Sequence, residues 1–77
     1  MPRYYVHVQN DQGYLADQEG AEMPDLDAAR CSAIHSGADI IAEELKQGRC
    51  VVNLTLYIED AEHKHLMELP MSASVYS

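Results

Sequence analysis

The stretch from Pro24 to Gly48, PDLDAARCSAIHSGADIIAEELKQG, limits what this chain can fold into more than any other. Apolar residues recur at Leu26, Ala29, Ala33, Ile34, Ile40, Ile41 and Leu45. At about 100° per residue they occupy an arc of roughly 160°, the signature of a helix with one buried face. Asp25 stands where a carboxylate can accept from the free backbone N–H groups of the first turn. Asp27 places negative charge where the helix dipole favours it. Lys46 and Gly48 supply a C-terminal end. At about 1.5 Å per residue the helix is roughly 34 Å long. Gly37 falls near the middle of the apolar arc, where glycine costs about 1 kcal/mol relative to alanine. Its reading is close approach of the helix backbone to a surface beneath.

The other segments supply that surface. Arg3 to Gln9 alternates, with Tyr4, Val6 and Val8 on one side and Arg3, Tyr5, His7 and Gln9 on the other. Asn10 to Gly13 is turn chemistry, and Gly13 to Asp17 reads as a second strand with Tyr14 or Leu15 inward. Gln18 to Pro24 is an acidic connector broken by Gly20 and Pro24, with Met23 placed to pack under the helix start. Cys50 to Glu59 is the strongest strand, with Val52, Leu54, Leu56 and Ile58 inward. Asp60 to His63 is a turn without glycine. Lys64 to Pro70 is a fourth strand, with Met67 and Leu69 inward and Pro70 marking an edge or an end. The fold class expected is α+β. Its topology is ββαββ, a four-stranded antiparallel sheet in the order 2-1-3-4 with one long helix on one face. A single domain spans 1–77, with a core of about 2–70 and a partly ordered tail at 71–77.

Size and charge narrow the function classes. Seventy-seven residues with no Trp and no Phe make a small core, so further burial in a homodimer is the expectation. Thirteen acids oppose five scattered bases, a net charge of −8. That balance argues against binding a phosphate backbone and is compatible with a basic protein partner. No apolar run approaches the ~18 residues of a membrane span, and no secretory signal is visible. The expected location is the cytoplasm. Cys31 and Cys50 lie at opposite ends of the helix, beyond the ~7 Å Cα limit for a disulfide, and read as free thiols.

Met1-Pro2-Arg3-Tyr4-Tyr5-Val6-His7-Val8 resembles the opening of a family of small uncharacterised bacterial proteins typical of alphaproteobacteria. The similarity continues through Asp17, Gly20 and Glu22, through Pro24-Asp25-Leu26, and through Ala28-Ala29-Arg30 and Ala33. It ends in Asp60, Leu66 and Leu69. This chain departs from the family at Val6, where an aromatic is usual, in its Gly-free second turn, and at Met71, where Phe often follows the proline. The family has no established activity, so the resemblance implies none.

Candidate chemistry is sparse. His63 and His65, with Asp60 and Glu62, could hold Zn²⁺ or Ni²⁺, because residues i and i+2 of a strand share a face. The pattern is weak by itself, and a solvated polar turn is the reading preferred. His7 and Tyr5 share a strand face and could form an acid/base pair. Cys31 has His35 four residues on. Pro2 would become an N-terminal secondary amine if Met1 were removed, a feature similar to that of small tautomerases. Pro24-Asp25-Leu26 and the hairpin-helix order resemble the toxin-binding part of the HicB antitoxin group, which would imply a basic protein partner. No cofactor motif is present. The reading that takes in most of these features is a non-enzymatic, homodimeric interaction module. Its expected interface is the sheet face opposite the helix, carrying Tyr5, His7, Asn53, Thr55 and Tyr57, or an edge strand.

Overall fold

The computed structural model describes residues 1–76. Its elements run β1 (Arg3–Asn10), β2 (Gly13–Leu15), β3 (Ala21–Glu22), α1 (Leu26–Lys46), β4 (Val51–Glu59) and β5 (His65–Ser74). The fold is α+β, with one helix and one antiparallel sheet of five strands. β1 and β4 are central neighbours, with Val6 opposite Ile58 and Val8 opposite Leu56. β2 and β3 both pair with the outer edge of β1, and β5 pairs with β4.

The alternation that makes these strands also builds the core. Tyr4, Val52, Leu54, Leu56 and Ile58 point to the helix and are buried, and Ala29, Ala33 and Ile41 of α1 meet them. Leu56 and Ile58 are wholly enclosed, and burying each side chain stabilises the fold by about 1.5–3 kcal/mol. The helix begins as its sequence dictates, with the Asp25 carboxylate accepting from the Ala28 N–H at 2.8 Å. Small residues on its inner face let its axis come close. A methyl group on Gly37 would stand 2.5 Å from Met71 Sδ and 2.9 Å from Leu56 Cδ1.

Four details differ from the sequence expectation. The connector contributes a fifth strand, since Ala21 and Glu22 pair with Tyr4 and Arg3, backbone that would otherwise stand unpaired at the sheet edge. The second strand ends at Leu15, and neither Tyr14 (56% exposed) nor Leu15 (71%) is enclosed. The last strand does not stop at Pro70. It runs to Ser74, and the Val75 N–H still donates to the Cys50 carbonyl at 2.8 Å. Finally, the β4–β5 register shifts by one between Ile58 and Glu59, so that Met67 faces Ile58 while His65 faces Glu59. Strict alternation would put His65 on the same side as Met67. The bulge turns it to the helix-free face.

Cys31 and Cys50 are both free and exposed. Among the described residues no helix is long and apolar enough to cross a membrane.

Candidate functional site

One end of the helix-free face carries an ordered polar cluster, and the β1 edge explains why it forms there. β2 pairs with Val8 to Asn10 and β3 with Arg3 and Tyr4, which leaves the Val6 N–H between them. Asp17 fills the gap. Its Oδ2 accepts from the Val6 N–H at 3.1 Å, and its Oδ1 accepts from the Glu19 N–H at 3.2 Å and the Gly20 N–H at 3.0 Å. The Arg3 guanidinium closes the loop by donating to the Glu19 carbonyl at 2.7 Å. Gly20 is required here. Its φ is +68°, and a Cβ would lie 2.8 Å from the Tyr4 carbonyl oxygen. Partial burial pushes the Asp17 carboxyl up, but the hydrogen bonds from Gly20, Val6 and Glu19 outweigh it and hold the group below its ordinary value.

The backbone N–H of the same Asp17 donates to His7 Nδ1 at 2.9 Å. An amide N–H can only donate, so Nδ1 is the bare nitrogen and Nε2 carries the proton. That proton points to Glu59 Oε1 at 2.8 Å. His7 is only 5% exposed even though it lies on the face the helix leaves open. Glu59 Oε1 also meets His63 Nδ1 at 3.1 Å. Hydrogen bonds from His7 and then His63 hold the Glu59 carboxyl below its ordinary value, so the ionised oxygen accepts from both rings. His63 is the turn residue with left-handed backbone, φ 65°, in a turn where Asp60 Oδ1 accepts from the Glu62 and Lys64 N–H groups. Its ring lies 4.6 Å from that of Tyr5, centroid to centroid. Tyr14 stands 5.7 Å from His7 and 6.5 Å from Tyr57, and Tyr57 stands 6.3 Å from His65.

Ligand atoms of His7, Glu59 and His63 lie within 4.8 Å of one another, close enough to share a metal ion. The proton positions speak against it. A metal on His7 Nε2 would drive that ring's proton to Nδ1, where it would face the Asp17 N–H, donor against donor. Metal-bound imidazoles instead donate their second N–H to an acceptor. Glu59 and His63 alone are free to ligate. The arrangement holds protons on both imidazoles and negative charge on the carboxylate between them.

The expected site residues divide accordingly. His63 joins the cluster, while His65 stands apart from it beside Tyr57. Tyr5, Thr55 and Tyr57 are half-buried on the open face, Asn53 is exposed, and His7 is buried beneath Asp17 and Glu59. The Tyr57 hydroxyl donates to Gln9 Oε1 at 3.1 Å. Three shallow hollows, of about 400, 420 and 350 Å³, are lined by none of Pro2, His7, Glu59 and His63. Sequence reasoning passed over Asp17 and Glu59. The first had a signal, because Asp followed three residues later by Gly is the pattern of a side chain closing its own turn. Glu59 had none, since its partners lie 52 residues upstream and four downstream.

No curated protein and no solved structure matches the chain. One family model does, the domain of unknown function DUF6894, over residues 3–72. That span takes in β1 to β4, the helix, β5 as far as Ser72 and the His7–Glu59–His63 cluster, and the chain belongs to the DUF6894 family.

Proposed function

We propose that the protein is a small non-enzymatic interaction module, homodimeric in solution, that offers its helix-free sheet face to a protein partner. The observation that carries this is the distribution of charge. By strand register the open face holds one base, Arg3, and three acids, Glu22, Glu59 and Glu68, a net of −2 out of the chain's −8, with Glu22 directly across from Arg3. The same face carries Tyr5, Tyr14 and Tyr57, large side chains that pay little entropy on contact and present both an apolar ring and a polar tip. An aromatic, weakly charged surface on an otherwise strongly acidic molecule suits association. The shallow hollows do not suit an enzyme, whose substrate needs enclosure.

A second reading is an acidic binder of a basic protein, as the antitoxin resemblance implies. It is favoured by the outer side of the helix, where Asp27, Asp39 and Glu43 are exposed. Affinity purification from the native host separates the two. Under the first reading a discrete co-purifying protein is lost on Tyr57→Asp and kept on Asp39→Lys with Glu43→Lys. The opposite pattern supports the second. Light scattering that gives the protomer mass at high micromolar concentration refutes the homodimer in either case.

A further inference from the structure

The two edges of the sheet are not alike. On β1 the edge is closed by β2, by the Asp17 carboxylate and by β3. Among the described residues β5 has no strand on its outer side. The bond from the Val75 N–H to the Cys50 carbonyl fixes the phase of the β4–β5 ladder. Met67, Leu69, Met71 and Ala73 turn their backbone groups toward β4, and Glu68, Pro70, Ser72 and Ser74 turn theirs outward. Pro70 falls in the outward set. It removes a donor from the free edge and none from the ladder.

The side chains along this edge are equally particular. Met67, Leu69, Met71 and Ala73 lie half-buried on the helix side, packed at the margin of the core. Glu68 is the one acid between His65 and Ser74, and no Lys or Arg falls there, although acids number thirteen in the whole chain. Charges and an edge proline are usual protections of a sheet edge against pairing; this edge has one charge, Glu68, and one proline, Pro70, and its C-terminal half beyond Pro70 has neither.

We propose that β5 is the seam of the homodimer: two copies pair β5 with β5 antiparallel about a twofold axis, joining two five-stranded sheets into one. This rests on the homodimeric reading given above. A second copy is the occupant because its own β5 answers both features at once. It supplies partners for the outward N–H groups of Glu68, Ser72 and Ser74, and it lays one half-buried methionine row against another, where the flexible thioethers adapt to each other. The twofold axis also keeps the acids apart. Pro70 excludes the register centred on itself, in which two prolines would face each other. The register centred on Met71 sets Ser72 opposite Pro70 and Ser74 opposite Glu68. It separates the two Glu68 side chains by about six residues of strand, roughly 20 Å at about 3.3 Å per residue. In such a dimer the two open faces run on as one surface.

The seam is tested on the full chain by sedimentation of three proteins. Ser72→Pro removes an outward donor and leaves the β4 ladder intact, so it should weaken dimerisation at least tenfold with an unchanged helical circular dichroism signal. Pro70→Thr restores an outward donor and should tighten it at least threefold. A dimeric wild type with both shifts supports the seam. A wild type that dimerises, a Ser72→Pro variant that dimerises as well, and a Pro70→Thr variant that is no tighter overturn the seam but leave the homodimer standing. A monomeric wild type overturns both. If Ser72→Pro does not fold, Pro70→Thr decides, and no tightening overturns the seam.

Discussion

Replacing Asp17 by alanine tests the local architecture most directly. The carboxylate accepts from three backbone N–H groups, those of Val6, Glu19 and Gly20. A hydrogen bond to a charged acceptor contributes about 1.5–3 kcal/mol net, and a neutral one about 0.5–1.5. Val6 lies within the sheet edge and loses most, roughly 1.5 kcal/mol. The Glu19 and Gly20 amides turn to water and lose roughly 0.5 kcal/mol each, which brings the expected loss to about 2.5 kcal/mol. For a domain of this size that is a fall in Tm of roughly 10–20 °C. Asp17→Asn keeps one accepting oxygen but turns an NH₂ group toward a donor, and should cost about 1 kcal/mol. Urea unfolding at pH 7 measures both, with m unchanged. The pH dependence has a definite sign. The folded pKa of Asp17 lies below its ordinary value. Its stabilisation is therefore complete above about pH 4 and is lost as pH falls through the lower folded value. The gap between wild type and Asp17→Ala should narrow in that window. An Asp17→Ala protein within ~0.5 kcal/mol of wild type at pH 7, or a gap that does not change in acid, refutes the reasoning.

Other substitutions probe single contacts. Gly20→Ala forces a Cβ onto the Tyr4 carbonyl at φ +68° and should destabilise by about 2–3 kcal/mol in urea unfolding. Gly37→Ala gains about 1 kcal/mol of helix propensity but overpacks Met71 and Leu56. Met71 can yield and the enclosed Leu56 cannot, so a net loss of about 1 kcal/mol in the same assay is expected. His63→Gly relieves a left-handed backbone at φ 65° and should raise stability by about 0.5–1 kcal/mol, since the bond to Glu59 that it loses is exposed. Two-bond ¹⁵N NMR should show His7 as the Nε2–H tautomer at neutral pH, and Zn²⁺ should perturb His63 while leaving His7 unchanged. The opposite tautomer would remove the argument against a shared metal.

How far the residues foretell this arrangement depends on the range of the interaction that sets each part. The helix was legible because its determinants are local. Asp25 caps it, and Ala29, Ala33, Gly37 and Ile41 repeat at its own period. β1 and β4 were legible because alternation between Tyr4 and Val8, and between Val52 and Ile58, leaves one face that must be buried. The two-residue β3 was not, because Ala21 and Glu22 have no strand propensity of their own and are held by pairing with Tyr4 and Arg3. The side taken by His65 was not legible for a related reason. Its side of the sheet is set by a one-residue bulge, and nothing in Lys64 to Met67 marks a bulge that only the β4 partner defines.

The site illustrates the same limit and explains why His7 defeats a reading by alternation. Period two assigns it correctly to the face away from the helix, and that assignment suggests exposure. Yet it is among the most enclosed side chains in the molecule. The cover comes from a loop bond and a cross-strand carboxylate, Asp17 N–H on one ring nitrogen and Glu59 on the other. Those two contacts satisfy both nitrogens, so burial leaves no polar atom unpaired. They also fix the proton on the nitrogen that faces Glu59, and this turns a plausible metal triad into a hydrogen-bonded anchor. The cluster therefore reads as the fastening of the connector to the open face. The surface proposed above for a partner is the one around it, carried by Tyr5, Asn53, Thr55 and Tyr57.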